Sequence, residues 1–137
     1  MTARNAKEKG SLIQWGIVGL LAWVVPGGGY WILGDRRRAA VVGLTIAATF
    51  VLGLYVGSIG VVDPVNARYW YAAQIMTSPV VFWVGRYASA GAYTVYGRPY
   101  EIGQIYTSIA GLLNLLCIIN ALYIAHVRGA HAQEDSA

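Results

Sequence analysis

A proline and three glycines, Pro26-Gly27-Gly28-Gly29, stand inside an apolar run that begins at Leu12 and closes on an arginine triplet, Arg36 to Arg38. Each glycine costs a helix interior about 1 kcal/mol and a proline about 3 kcal/mol relative to alanine, so the four positions oppose a continuous helix by roughly 6 kcal/mol. A helix that starts at Leu12 therefore stops at Val25. Its 14 residues reach about 21 Å, against about 30 Å of hydrocarbon in a bilayer. Either Tyr30 to Leu33 resume a helical path and complete a crossing, or the chain turns at the glycines and returns to the side it came from. In lipid the broken turn must be covered by protein or water, because its backbone groups have no other partners.

A bilayer is the relevant solvent because 57% of the 137 residues are apolar and 12% are charged. Such a chain is too apolar for one small soluble domain and too long for a single anchor. The net charge of +4 comes mostly from clusters. It reads as anchoring against anionic headgroups, and nucleic acid is not an expected partner, since no basic face is laid beside stacking aromatics. Arg4, Lys7 and Lys9 precede the first apolar run as in a signal peptide, yet no small-residue cleavage site follows, so the segment is read as part of the fold. The lone Cys117 reads as a small buried hydrophobe.

The expected fold class is an all-α integral membrane protein with three to four apolar helices. A polar tail over 1–10 leads into a single helical membrane domain over 11–128, and a polar tail follows over 129–137. Ser11 and Gln14 have the spacing of a capping box at the start of the first segment, 12–33. The second, 39–62, holds 24 nearly uniformly apolar residues, about 36 Å, enough to cross. Gly53 and Gly57 form a G-x-x-x-G pair and Gly43 belongs to a neighbouring small-residue ladder, so these positions are candidate helix-packing residues. Asp63-Pro64 marks a helix start and predicts a short interfacial helix near 64–77, rich in aromatics. Ser78-Pro79 repeats that signal ahead of a third apolar segment, 79–96. After a polar turn over 97–104, the last segment, 106–127, has 22 residues, about 33 Å, with Arg128 in its final turn and Gly129 as its stop.

The break decides the topology. If all four segments cross, Arg4, Lys7, Lys9, Arg68 and Arg128 share one side and Arg36, Arg37, Arg38 and Arg98 the other, a split that gives no orientation. If the first segment re-enters, Arg4, Lys7, Lys9, Arg36, Arg37, Arg38 and Arg98 gather against Arg68 and Arg128, which suits the positive-inside rule. Charge favours re-entry and apolar length favours crossing. Both stay open.

Arg86 is the sharpest single candidate, because a charge inside an apolar segment is expensive and asks for a partner. A lipid phosphate, Asn114, Asn120, Glu101, Asp63 or a carboxylate on another protein could supply it, or the side chain could snorkel to an interface. Asn114 and Asn120 are six positions apart, so they point about 120° from one another and suit hydrogen bonds to two different neighbouring helices. His126 is a weak candidate axial ligand for a pigment or haem shared with a partner, and no cofactor or metal is expected. No paired carboxylates, nucleophile with base, or His/Cys/Asp cluster lies in the apolar segments, so no catalytic residue is assigned. Arg36, Arg37 and Arg38, with Tyr30 and Trp31 just before them, suit either a topology determinant or an anionic headgroup site.

The run Pro26-Gly27-Gly28-Gly29-Tyr30-Trp31-Ile32-Leu33-Gly34-Asp35-Arg36-Arg37 resembles the P-G-x-G-H-x-Y-L-G-R motif of the two-transmembrane-helix domain family, with Tyr30 in place of the usual histidine. Pro99 to Gly103 and Tyr106 to Leu116 are similar to an uncharacterised bacterial multi-pass family that pairs such a hairpin with a C-terminal helix. That family often carries an aspartate where this chain has Asn120. The resemblance implies a helical protein of the bacterial inner membrane without an assigned function.

The reading that follows is a non-enzymatic membrane protein, an accessory or structural subunit that packs against a larger complex or itself. The alternative is a lipid-headgroup-binding or lipid-handling module built on the glycine break, the arginine triplet and Arg86. A small transporter comes third, since one buried charge has no second ionisable group to relay to it.

Overall fold

The computed structural model describes residues 13, 15–91 and 97–134. Ser11, Gln14 and the two polar tails, apart from the start of the second, lie outside them, as do residues 92–96. All regular structure among the described residues is helical, in six α-helices and one 3-10 turn: α1 (Trp15–Val24), α2 (Gly28–Ile32), α3 (Arg36–Gly57), the turn Ile59–Val61, α4 (Arg68–Ile75), α5 (Val80–Ala90) and α6 (Arg98–Glu134).

Among the described residues, only α3 and α6 are long and apolar enough to cross a membrane. They lie antiparallel. Gly53 and Gly57, late in α3, meet Thr107 and Gly103 early in α6, while Arg128, late in α6, donates to the Leu33 carbonyl just ahead of α3 at 2.6 Å. The glycines let the backbones touch, since a Cβ on Gly53 would come within 2.7 Å of Thr107 Cγ2 and one on Gly103 within 2.7 Å of Gly57 Cα. The G-x-x-x-G face is thus occupied within the chain. Asp35 starts α3 by accepting a hydrogen bond from the Arg38 N–H at 3.1 Å, which satisfies one of the free donors of a helix start.

The segment over 12–33 is a hairpin. Trp15 packs edge-on against His126, with ring centroids 4.9 Å apart, Gly19 faces Leu122, and the Ala22 carbonyl reaches Asn114, so α1 climbs from the late part of α6 to its middle. The chain turns at Val25 to Gly27, and α2 comes back beside α1, its Gly29 set against Ala22, Val18 and Ala121. At Leu33 the chain has returned to the level of Arg128. Tyr30, Val18, Ala39 and Ala121 form the core where hairpin, α3 and α6 meet.

A second hairpin approaches from the other end. Along α4, the Trp70 carbonyl lies at Ser108, Ala73 at Gly111, and Met76 and Thr77 at Asn114, so α4 runs toward the middle of α6 from its early end. α5 then returns, with Gly85 under the Tyr71 ring, and packs on the 3-10 turn.

This arrangement corrects several sequence expectations. The third segment, 79–96, is helical over a shorter stretch: α5 has 11 residues, about 16 Å, and its helix ends where Gly91 turns to extended backbone, ψ 146°. Tyr93 and Tyr96 of its supposed polar face lie outside the described residues. With α5 doubling back, Arg98 sits beside the end of α3, because a Cβ on Gly57 would lie 3.1 Å from the Pro99 carbonyl, and Arg128 joins the arginine triplet. The two therefore exchange sides relative to the re-entry count. The helix expected near 64–77 begins only at Arg68, because the Asp63 carboxylate folds 64–66 into a turn, accepting from the Val65 and Asn66 N–H groups and the Asn66 amide. The last helix starts at Arg98, not 106, since Pro99 in a first turn forfeits no hydrogen bond. It also runs past Gly129, a single glycine costing a helix only about 1 kcal/mol.

Candidate functional site

The tips of the two hairpins meet on Asn114, near the middle of α6. A helix that ends inside an apolar body leaves up to four carbonyls without partners, and here each tip is capped by side chains from elsewhere. The Trp23 indole N–H, from α1, donates to the Ile75 carbonyl at the end of α4 at 3.0 Å. In return Ser78, just beyond α4, donates its hydroxyl to the Val24 carbonyl at the end of α1, also at 3.0 Å. The Asn114 amide then donates to Met76 at 2.9 Å and Thr77 at 3.0 Å, with a longer contact to Ala22 at 3.4 Å. Two turns toward the start of α6, the Gln74 amide donates to the Thr107 hydroxyl at 2.8 Å and the Val61 carbonyl at 3.3 Å.

The glycine break makes a second feature. Gly27 holds φ 84°, a left-handed conformation that side chains disfavour, and a Cβ there would strike the Ala39 carbonyl of α3. Gly43 admits the turn from the other side, its own Cβ position lying 2.5 Å from the Pro26 carbonyl. Between the hairpin and α3 an apolar groove of about 460 Å³ remains, with Leu21, Val25, Gly43 and Leu44 toward the tip and Trp31 and Ile32 toward the arginines. Trp31 is 59% exposed, and the Arg36 guanidinium stands 6.0 Å from its ring centroid, a cation–π distance. Arg38 lies 5.6 Å from the Tyr30 ring and 3.7 Å from the Asp35 carboxylate.

A model of a family of unknown function, DUF6677, matches residues 17–133. The chain belongs to that family. No curated protein and no solved structure matches it.

In this DUF6677 chain the candidate residues fall into separate places. Arg36, Arg37 and Arg38 are exposed at the start of α3, and Tyr30 is buried beneath them, its hydroxyl accepting from the Asn120 amide at 2.8 Å. Arg86 is not with them. It is exposed on α5, in the other hairpin, and has no ion pair or hydrogen bond among the described residues. His126 packs on Trp15. Sequence reasoning missed Trp23, Gln74, Thr77, Ser78 and Thr107, all at the tips or on the seam between α4 and α6. The one signal for them was polarity, since Gln74, Thr77 and Ser78 interrupt an otherwise apolar and aromatic stretch.

Proposed function

We propose that this chain is a non-enzymatic integral membrane protein that holds an anionic phospholipid on the flank of its first hairpin. In this reading α3 and α6 cross the bilayer, and the hairpins enter from opposite faces to meet near its middle. The observation that carries it is the groove. Its volume falls in the range of small-molecule sites, roughly 300–1,000 Å³, its lining is apolar, and its outer end carries Trp31 and the Arg36 cation. An acyl chain suits the lining, and a phosphate suits the Arg36 guanidinium beside Trp31.

Charge supports an orientation. Arg36, Arg37, Arg38 and Arg128 gather at one end, where Arg4, Lys7 and Lys9 also lead into α1, while Arg68 and Arg98 mark the other. The richer end would face the cytoplasm, and the likeness of the Pro26 to Arg37 run to the two-transmembrane-helix domain favours a bacterial inner membrane. An accessory subunit docking through Gly53 and Gly57 is less well supported, because α6 covers that face.

Native mass spectrometry of the full chain from mild detergent tests the reading. A retained anionic phospholipid, lost on Arg36→Ala and Trp31→Ala but kept on Arg86→Ala, is the expected result. A chain with no retained phospholipid, or one whose lipid ignores all three substitutions, would overturn it, and stoichiometric protein partners in its place would restore the subunit reading.

A further inference from the structure

We propose that a dehydrated monovalent cation, sodium or potassium, binds where the ends of α1 and α4 meet on α6. Three buried side chains there, Gln74, Thr77 and Asn114, each keep an oxygen that no donor among the described residues reaches: Gln74 Oε1, Thr77 Oγ1 and Asn114 Oδ1. Gln74 and Asn114 have no exposed surface, and Thr77 has 4%.

Turning the amides round does not relieve them. The Asn114 NH2 group faces the Met76 and Thr77 carbonyls, and the Gln74 NH2 group faces the Val61 carbonyl and a Thr107 hydroxyl that is itself turned to the Gly103 and Gln104 carbonyls. Exchanging nitrogen for oxygen in either amide would set oxygen against oxygen. A buried acceptor without a donor costs free energy wherever it occurs. Three on one seam therefore point to something that all three can hold.

The seam is continuous. Gln74 and Thr77 are three positions apart, on one side of the chain as α4 ends. Asn114 is fixed beside Thr77 by its bond to the Thr77 carbonyl. Gly111, one turn before Asn114, lets the elements close up, since a Cβ there would strike the Ala73 carbonyl and lie 3.1 Å from Thr77 Oγ1.

The backbone supplies the field. Both α1 and α4 arrive at Asn114 with their C-terminal ends, so the negative ends of two short helices converge. Carbonyl ends of interrupted helices, joined by hydroxyl and amide oxygens, are the ligands that membrane proteins use for such cations. The charge fits a monovalent ion. No acidic residue occurs between Asp63 and Glu101 or between Glu101 and Glu134, so a divalent ion would find only neutral oxygens where it prefers carboxylates.

The test is thermal unfolding of the detergent-solubilised full chain in sodium, potassium and choline chloride at one ionic strength. Sodium or potassium is expected to raise the melting temperature in a saturable way that choline does not reproduce. Thr77→Val keeps the shape and removes one ligand, and should raise the half-saturating concentration on the order of tenfold while melting close to the unaltered protein in choline chloride. Gln74→Leu serves as a second variant with the same expected shift. Identical melting in the three salts would overturn the proposal, with water alone meeting the three oxygens, as would a cation effect that survives both substitutions. Neither result depends on whether the groove binds lipid.

Discussion

At the tip of the first hairpin the chain turns with a proline and glycines and bonds mainly to itself, Gly28 N–H to the Val25 carbonyl at 2.8 Å and Tyr30 N–H to the Gly27 carbonyl at 3.1 Å. The second hairpin turns through Met76 to Pro79 without a glycine, and there the freed carbonyls are met by Trp23 and Asn114 from distant parts of the chain. The first tip depends on close backbone approach, which a single Cβ would block. The second depends on donors, which a single apolar substitution would remove. Both answer the same requirement, that a backbone interrupted in an apolar setting keeps its polar groups paired, and the difference lies in where each tip's sensitivity resides.

The largest expected effect is all-or-none and concerns the hairpins as a pair. With Cys117 replaced, single cysteines from Ile13→Cys, Arg37→Cys and Ala130→Cys should label from one side of sealed vesicles, and Val65→Cys from the other. Opposite-side labelling of positions 13 and 37 would mean that the first segment crosses, and the symmetry of the two hairpins would be lost.

Next comes Asn114→Leu, which strips the donor from the Met76 and Thr77 carbonyls together and loosens both tips. At about 1–3 kcal/mol for each buried group left unpaired, a loss of about 4 kcal/mol is expected, read by reversible unfolding in mixed micelles. A loss under about 1 kcal/mol would show that relaxation supplies other donors, as it can in membranes.

Gly27→Ala should cost roughly 2–4 kcal/mol, combining left-handed backbone strain with overlap on Ala39. Gly16→Ala is its control, since nothing lies within 4 Å of the added methyl, and there the helix should gain up to about 1 kcal/mol. Equal effects at the two positions would remove close approach as the principle of the first tip. Ser78→Ala deletes the bond to Val24 and a longer one accepted from the Val80 N–H at 3.4 Å, and should cost about 1 kcal/mol, so the first tip should tolerate it far better than Gly27→Ala.

The smallest effect is at Asp63, outside both tips, in the turn that leads into the second hairpin. Burial pushes its carboxyl up, but the hydrogen bonds from the Asn66 backbone and side chain and the Val65 backbone outweigh it and hold the pKa below the ordinary value. A carboxylate lowered in this way stabilises the turn above its unfolded pKa, and the contribution fades as pH falls through the folded one. Protection of the Val65 and Asn66 amides, measured as exchange relative to the intrinsic rate at each pH, should therefore fall only in acid, and Asp63→Asn should abolish that fall.

Legibility in the sequence follows the range of the interactions. The α3 and α6 helices were readable because an unbroken apolar run of more than 20 residues has few alternatives, and the break at Pro26 to Gly29 was readable because its cost is local. The second hairpin was not. Ser78-Pro79 followed by apolar residues up to Tyr96 looks like the start of a span, and nothing local says that Ser78 donates to Val24, 54 positions away.

Sequence alone determined that the first apolar segment breaks, where it breaks, that two long apolar helices flank the rest, and that cations cluster beside the break. Tertiary structure decided that the broken segment returns, that α5 returns with α4, which end Arg98 and Arg128 occupy, and that Asn114 stands where the tips meet. The reason is physical. Glycine and proline carry the cost of interrupting a helix in their own backbone, whereas the freed carbonyls are satisfied by whichever donor the fold brings near, in Asn114 and Ala22 a pair 92 positions apart.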